Sequence, residues 1–288
     1  MKRLFSLLFL LALAACVHTP APTATPEPVR AMTFNIRLDT QSDGPNAWPH
    51  RKEMVAALIS HERPHLLGMQ EVLLSQKQYL EAALPQYDVV GVGRDDGVAG
   101  GEFSPLFIDR TRYALLDSGT FWLSETPGKP STGWDAALPR IATWAEVQDR
   151  RSGQQLRVLN THFDHVGERA RAESARLIGE WASASIAAGI PVIVMGDLNS
   201  APGSEPYAVI SDAQFGLVDT RGASKRAPYG PTGTFSGFDI ARNAEQPIDH
   251  VFVSPGVSVA SYAVLTQHWG GRLPSDHYPV LVDLLIED

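Results

Sequence analysis

Apolar residues along this chain follow two rhythms. In residues 51–63, Met54, Val55, Leu58 and Ile59 recur at three- and four-residue spacing, which predicts a helix stopped by Pro64. Residues 76–84 and 204–211 predict shorter helices, and 168–188 the longest, closed by Gly189 and Pro191. Other apolar runs are short and read as strands: 29–38, 65–70, 87–92, 103–108, 113–123, 191–195, 248–254, 257–266 and 279–285. Residues 143–148 and 155–160 flank a turn-forming stretch from Asp149 to Gly153, a hairpin signal. Residues 95–101, 124–138 and the weakly patterned 215–239 read as loops. Strand groups with helices between them predict a mixed α/β layered domain, and no internal repeat of convincing length is visible.

Six of the apolar runs end at unusual residues. Strands commonly stop at turn formers, but these stop at Asn35-Ile36-Arg37, Gln70-Glu71, His162-Phe163-Asp164-His165, Asp197-Leu198-Asn199, Asp249-His250 and Ser275-Asp276-His277. A carboxylate such as Glu71 at the end of a buried strand is costly unless it is hydrated, paired or metal-bound. Glu71 together with the amide of Asn35 suits a hard divalent cation such as Mg2+ or Mn2+. Asn35 taken alone reads rather as a strand-end hydrogen-bonding residue. Asp197 and Asn199 are two apart, so a continuing strand would point both the same way. One can polarise a water while the other donates to a phosphoryl oxygen; the competing reading is a plain turn. His162 is a candidate phosphoryl ligand and His165 a pocket residue, with a second metal site at His162, Asp164 and His165 as the alternative. A carboxylate behind an imidazole fixes its tautomer and raises its pKa, and Asp249 is the candidate partner of His277. Asp276 is then free to approach the metal.

Composition bounds the partners. The 288 residues are 44% hydrophobic and 19% charged, enough for one large domain. The net charge of -8 becomes -10 if the leader with Lys2 and Arg3 is removed, which disfavours nonspecific binding to nucleic acid. Cys16 is the one cysteine, so no intramolecular disulfide is expected. Lys2-Arg3, an apolar run from Leu4 to Ala15 and Leu13-Ala14-Ala15-Cys16 resemble a bacterial lipoprotein signal. The run is shorter than the ~20 residues of a membrane span. The resemblance implies a signal peptide over 1–15, an acylated Cys16, a Pro/Thr-rich tether over 16–28 and a catalytic domain over 29–288. It implies an extracytoplasmic, lipid-anchored protein, on the outer membrane if the cell is Gram-negative, since Val17 replaces the aspartate of inner-membrane retention.

Taken in order, the six endings resemble the endonuclease/exonuclease/phosphatase superfamily over about residues 29–286. Further stretches resemble a bacterial extracytoplasmic subgroup: Asp43-Gly44-Pro45-Asn46-Ala47-Trp48, Gly101-Glu102-Phe103-Ser104-Pro105 and Gly133-Trp134-Asp135 through Arg140. Ile108 stands where many relatives carry Tyr, so a hydroxyl contact from that position is lost or supplied elsewhere. The resemblance implies a DNase I-like four-layer α/β/β/α sandwich with two mixed β-sheets. It implies Mg2+ at Glu71 with Asn35 and Asp276 nearby, Asp197 on the nucleophilic water, Asn199 and His162 on the phosphoryl group, and His277 with Asp249 stabilising the transition state. Arg37 and Arg140 are candidate oxyanion binders, with structural ion pairs as the alternative. Trp48, Trp122 and Trp134 read either as a stacking wall or as packing. The expected activity is a Mg2+-dependent phosphoesterase for a small phosphorylated polyol, sugar or lipid head group. A secreted nuclease and a noncatalytic binding lipoprotein are the rivals. No Gly-Xaa-Ser-Xaa-Gly elbow, zinc-protease motif, Walker A loop or Rossmann glycine pattern is present.

Overall fold

Along β1 (Val29–Asn35) successive side chains alternate between two cores: Val29 and Ala31 enter one, Met32 and Phe34 the other. The same alternation runs through β8 (Val192–Asp197), where Ile193 and Met195 oppose Val192 and Val194. A strand that is apolar on both faces belongs inside a sheet covered on both sides. The computed structural model describes residues 27–242 and 245–287. The expected signal segment, Cys16 and most of the expected tether lie outside the described residues.

The remaining strands are β2 (Leu66–Gln70), β3 (Tyr87–Val90), β4 (Leu106–Asp109), β5 (Tyr113–Trp122), β6 (Ile141–Asp149), β7 (Gln155–His162), β9 (Val218–Asp219), β10 (Asp249–Val253), β11 (Val257–Val264) and β12 (Val280–Ile286). The helices are α1 (Lys52–Glu62), α2 (Leu74–Ala83), α3 (Glu168–Ala187), α4 (Glu205–Ile210) and the single turn α5 (Thr220–Ala223). One sheet has the order β11-β12-β1-β2-β4-β3 and the other β5-β6-β7-β8-β10-β9. Each has one parallel pair at its centre, β1 with β2 and β7 with β8, and antiparallel neighbours outside it. The two sheets therefore share one topological plan, a symmetry that leaves no repeat in the residues. Each parallel pair needs a crossover helix, supplied by α1 and α3.

Three apolar cores separate four layers. Leu66, Ile108, Val158, Met195, Val251 and Val282 fill the space between the sheets. Val55, Leu58 and Ile59 of α1 and Leu80 of α2 cover the outer face of the first sheet, and Ile178 and Ala182 of α3 with Ile210 of α4 cover the second. The arrangement is the DNase I-like sandwich. Among the described residues no helix is long and apolar enough to cross a membrane.

The expected elements form with small shifts at their ends. α1 stops at Arg63, which turns left-handed (φ 48°) before Pro64. The first strand ends at Asn35 rather than Leu38, because Arg37 adopts φ 58°. The stretch 215–239 holds β9 and α5 within its loops. Below the site, the sheets are joined by buried amides. Asn160 Nδ2 donates to Met69 O at 2.7 Å and Pro105 O at 2.9 Å. Gln70 Nε2 donates to Asn160 Oδ1 at 2.6 Å and Thr33 Oγ1 at 2.9 Å. Gly68 makes room for this bridge, since a Cβ there would lie 2.6 Å from Asn160 Oδ1.

Candidate active site

The carboxyl ends of β1, β2, β7 and β8, the two central parallel pairs, lie side by side at one end of the sandwich. Ligands of parallel sheets bind at that kind of edge. Here it opens into a cleft of about 500 Å3. Arg37, Glu71, Arg140, His162, His165, Asp197, Asn199, Asp276 and His277 line it, and Asn35 and Asp249 are buried. Three of the lining residues leave their strands through left-handed backbone: Arg37 (φ 58°), Glu71 (φ 58°) and Asn199 (φ 45°). Each such turn costs roughly 1–3 kcal/mol in a non-glycine residue and clusters at functional sites. Asn199 thus reaches the cleft by a turn after Asp197, whereas the spacing alone suggested a continuing strand.

The acids on the first sheet's side sit around Arg37. Its guanidinium takes both oxygens of Asp43 at 3.0 Å and lies 3.6 Å from Glu71 and 3.9 Å from Asp276. The Asp43 hydrogen bonds raise the Arg37 pKa further, against the opposing effect of burial. Asn35 Nδ2 donates to Glu71 Oε1 at 3.0 Å and Asp197 Oδ2 at 2.9 Å, while its Oδ1 accepts the Arg37 N–H. Asn35 therefore fixes the two carboxylates through its nitrogen. Burial raises the Asp276 pKa, His277 opposes this and the nearby Glu71 adds to it. Two hard oxygen donors crowded at a cleft, with an amide beside them, fit a divalent cation. The loops that carry them hang on fully buried Arg51, which donates to the carbonyls of Ile36, Arg37, Leu38, Asn46 and Pro274. Burial lowers its pKa to about 10, still high enough to keep the guanidinium charged at neutral pH.

The acids on the second sheet form a chain. Asp249 and Asp197 are register partners across β10 and β8. His277 Nδ1 donates to Asp249 Oδ2 at 2.9 Å, and its Nε2 stands 3.7 Å from Asp197 Oδ2. Burial raises the Asp197 pKa, to about 7, helped by the charge of Asp249 and opposed by His277. Burial alone would lower that of His277, but Asp249 and Asp197 outweigh it and lift it to about 10. The ligand atoms of Asp197, Asp249 and His277 lie within 4.8 Å of one another, so this group too is compact enough for an ion.

The other wall carries nitrogen. Asn199 Nδ2 lies 3.2 Å from His162 Nε2 and donates to Phe163 O at 3.1 Å. His162 is buried, and its pKa falls well below the usual value through burial and then the charges of Arg140 and Arg94. Arg140 is 4% exposed; its Nε lies 3.3 Å from Asp164 Oδ2 and its Nη2 3.0 Å from His165 Nδ1, leaving Nη1 buried without a partner. Asp164 Oδ1 accepts from the N–H groups of Ala137, Val166 and Gly167. Burial would raise its pKa, but these bonds and Arg140 pull it to about 2. With its oxygens so engaged, Asp164 anchors the loop and Arg140, which disfavours a second metal site there. Trp48 and Trp122 are buried and Trp134 is half-buried; none lines the cleft, so they pack rather than form a wall.

Several contributors escaped the sequence pattern. Gln70 and Asn160 had a signal, being amides inside apolar runs. Glu102 lines the cleft from a glycine-rich loop; it lay in a stretch that resembles the bacterial subgroup, but no periodicity or strand end marked it as a site residue. The segment from Thr234 to Gly237 lies in a stretch expected to be featureless. Thr234 Oγ1 accepts from Ile248 N and Asp249 N, the N–H groups of Ser236 and Gly237 bind Asp276 O, and the Phe235 ring packs 5.0 Å from that of His277.

Comparison with known proteins agrees with this geometry. The sequence model of the Endonuclease/Exonuclease/phosphatase family matches residues 32–277. The structure of the endonuclease/exonuclease/phosphatase from Bacteroides vulgatus is 43% identical, covering 90% of this chain and 99% of that one with a TM-score of 0.84. A mannosyl-6-phosphatase from Bacteroides thetaiotaomicron is 35% identical, covering 90% of this chain and 100% of that one, also at 0.84. Nocturnin of Rattus norvegicus is 26% identical over 88% of this chain and 63% of its own length, so the chain spans less than two thirds of that relative. The chain belongs to the Endonuclease/Exonuclease/phosphatase family and is a metal-dependent phosphoester hydrolase.

Proposed function

We propose that this protein is a Mg2+-dependent phosphoesterase, with Mn2+ as a substitute, acting on a small phosphorylated polyol, sugar or lipid head group. The observation that carries the reading is the Asp249–His277–Asp197 chain opening on a cleft of about 500 Å3, the size of a small-molecule site. The likeness to a mannosyl-6-phosphatase supports a sugar phosphate, and the net charge of -8 weighs against nucleic acid.

Glu71 and Asp276 would hold the cation, with Asn35 fixing Glu71. Bound there, it would supply a Lewis acid that offsets negative charge developing in the transition state. Asp197, raised in pKa by burial, accepts a proton from the attacking water. The water oxygen bonds to phosphorus in line with the ester bond that breaks. His277, kept protonated by Asp249, donates to a phosphoryl oxygen from Nε2. Arg140 Nη1, buried without a partner, supplies a further donor on the opposite wall, with Asn199 fixing the His162 ring beside it. The leaving alkoxide takes a proton from solvent to give the alcohol, and Asp197 returns its own to solvent.

A second location for the cation, at Asp197, Asp249 and His277, is favoured by one observation: Asp249 Oδ1 is buried without a partner. The first location is preferred because an ion at the second would have to displace the His277 proton. Phosphate release from a hexose 6-phosphate, compared with cleavage of DNA and RNA over a range of salt, tests the substrate class. Cleavage of nucleic acid with a steep negative salt slope and no release from the sugar ester would overturn it.

The lipid anchor is proposed from the leader sequence ending at Cys16. Cys16→Ala should move the protein from the membrane fraction to the soluble one, and unchanged fractionation would exclude acylation there.

A further inference from the structure

Glu102 brings a negative charge into a cleft that has to admit a phosphate. Its carboxylate is largely buried and pairs with Arg94, Oε2 to Nη1 at 2.8 Å. Burial raises its pKa, Arg94 opposes this, and Glu71 adds to the rise. A phosphoryl group would be repelled from this wall, whereas hydroxyl groups donate readily to a carboxylate.

The surroundings favour a hydroxyl specifically. His162 Nε2 faces the Asn199 Nδ2 donor and therefore accepts, which leaves the proton on Nδ1. That Nδ1 is buried without a hydrogen-bond partner and stands 3.9 Å from Glu102 Oε2. The separation is too long for a hydrogen bond, but an oxygen placed ~2.8 Å from each atom spans it. Such an oxygen must accept from His162 and donate to Glu102, and an alcohol does both.

Glu102 is also preorganised. Arg94 N donates to Glu102 O at 3.0 Å, so the pair closes the neck of loop 94–102. The Trp122 indole donates to Arg94 O at 2.7 Å, and Asp96 Oδ1 accepts the N–H groups of Val98, Ala99 and Gly100 at the loop tip. A carboxylate held this way loses little freedom when a ligand binds.

We propose that Glu102, positioned by Arg94, is a specificity-determining residue that recognises hydroxyl groups on a polyhydroxylated leaving group, such as a hexose or a polyol. This rests on the phosphoesterase reading above. A leaving group without hydroxyls leaves Glu102 and His162 Nδ1 unpaired, and sites built for hydroxyls reject such analogues strongly.

Calorimetric titration of the full chain with Mg2+ tests the inference without turnover, using the methylene phosphonate analogue of a hexose 6-phosphate and propylphosphonate. The wild-type protein should bind the hexose analogue at least tenfold more tightly, and Glu102→Gln should cut that preference to about threefold or less. Glu102→Asp, which withdraws the carboxylate while keeping its charge, should reduce it as well and serves if the glutamine variant melts early. No preference in the wild type, or an equal preference in wild type and a folded variant, overturns the role of Glu102. Phosphate release from the corresponding esters is measured in parallel. Its absence in the wild type would refute the hydrolytic reading, while the binding ratio still decides Glu102.

Discussion

Two sets of acids end strands at the same edge of this sandwich, and the fold treats them differently. Asp197 and Asp249 are 1% exposed, face each other in register and bracket one imidazole. Glu71 and Asp276 keep 12% and 11% of their side chains exposed and lean on Arg37, a side chain itself partly in solvent. Sealing suits the first set to proton transfer, since burial raises Asp197 while the paired carboxylates hold a charge on His277. Partial exposure suits the second set to exchange solvent for a cation. Carboxylates thus acquire different properties from their depth and their partners.

The largest expected effect comes from removing the centre of the sealed set. His277→Ala should lower kcat by roughly 10³-fold and also lower the melting temperature, because Asp197 and Asp249 are left buried without their cation; phosphate release from the folded variant and calorimetric melting read the two effects. An unaltered kcat would erase the distinction between the two sets. Asp249→Asn should lower kcat by ~10²-fold and also move a pH limb. Activity rises as Asp197 loses its proton near about 7 and falls as His277 loses its own near about 10. Loss of the Asp249 charge pulls the alkaline limb to lower pH, visible in a profile of kcat against pH. The same raised His277 pKa contributes stability that is complete below about 6.5 and lost as pH climbs through about 10.

Smaller effects sharpen the contrast with acids that have only a structural task. Asn160→Ala leaves buried amide and carbonyl groups of both sheets unpaired and should cost about 2 kcal/mol in denaturant unfolding. Asp164 is as deeply buried as Asp197, but its pKa is driven down to about 2. Its contribution of about 2 kcal/mol is present above about pH 4 and disappears as pH falls through the folded value. Urea unfolding of Asp164→Asn should therefore show a deficit at pH 7 that narrows towards pH 2. Trp134→Ala should change kcat/KM by no more than about threefold, since the ring does not line the cleft.

The layers were legible because apolar alternation in β1 and β8 and the helical spacing of α1 are local features. Most of the residues that meet in the cleft were legible too, because a polar residue ending a buried strand is conspicuous wherever the strand lies. The matching topology of the two sheets was hidden, being a property of hydrogen-bonded order rather than of residues. Glu102 and the Thr234–Phe235–Ser236 segment were hidden for a related reason. Each acts through contacts with residues distant in sequence, and neither carries a periodic signal. Arg37 illustrates the remaining limit: its residue type fits both oxyanion binding and an ion pair, and in this structure it makes the ion pair with Asp43.

The division between open and sealed acids is tested most directly by titrating Mn2+ into the wild type, Glu71→Gln and Asp249→Asn, with binding followed by electron paramagnetic resonance. The open set predicts that Glu71→Gln weakens binding by at least tenfold and that Asp249→Asn stays within about threefold of wild type. Loss of binding in Asp249→Asn with Glu71→Gln unaffected would place the cation in the sealed set and contradict the account.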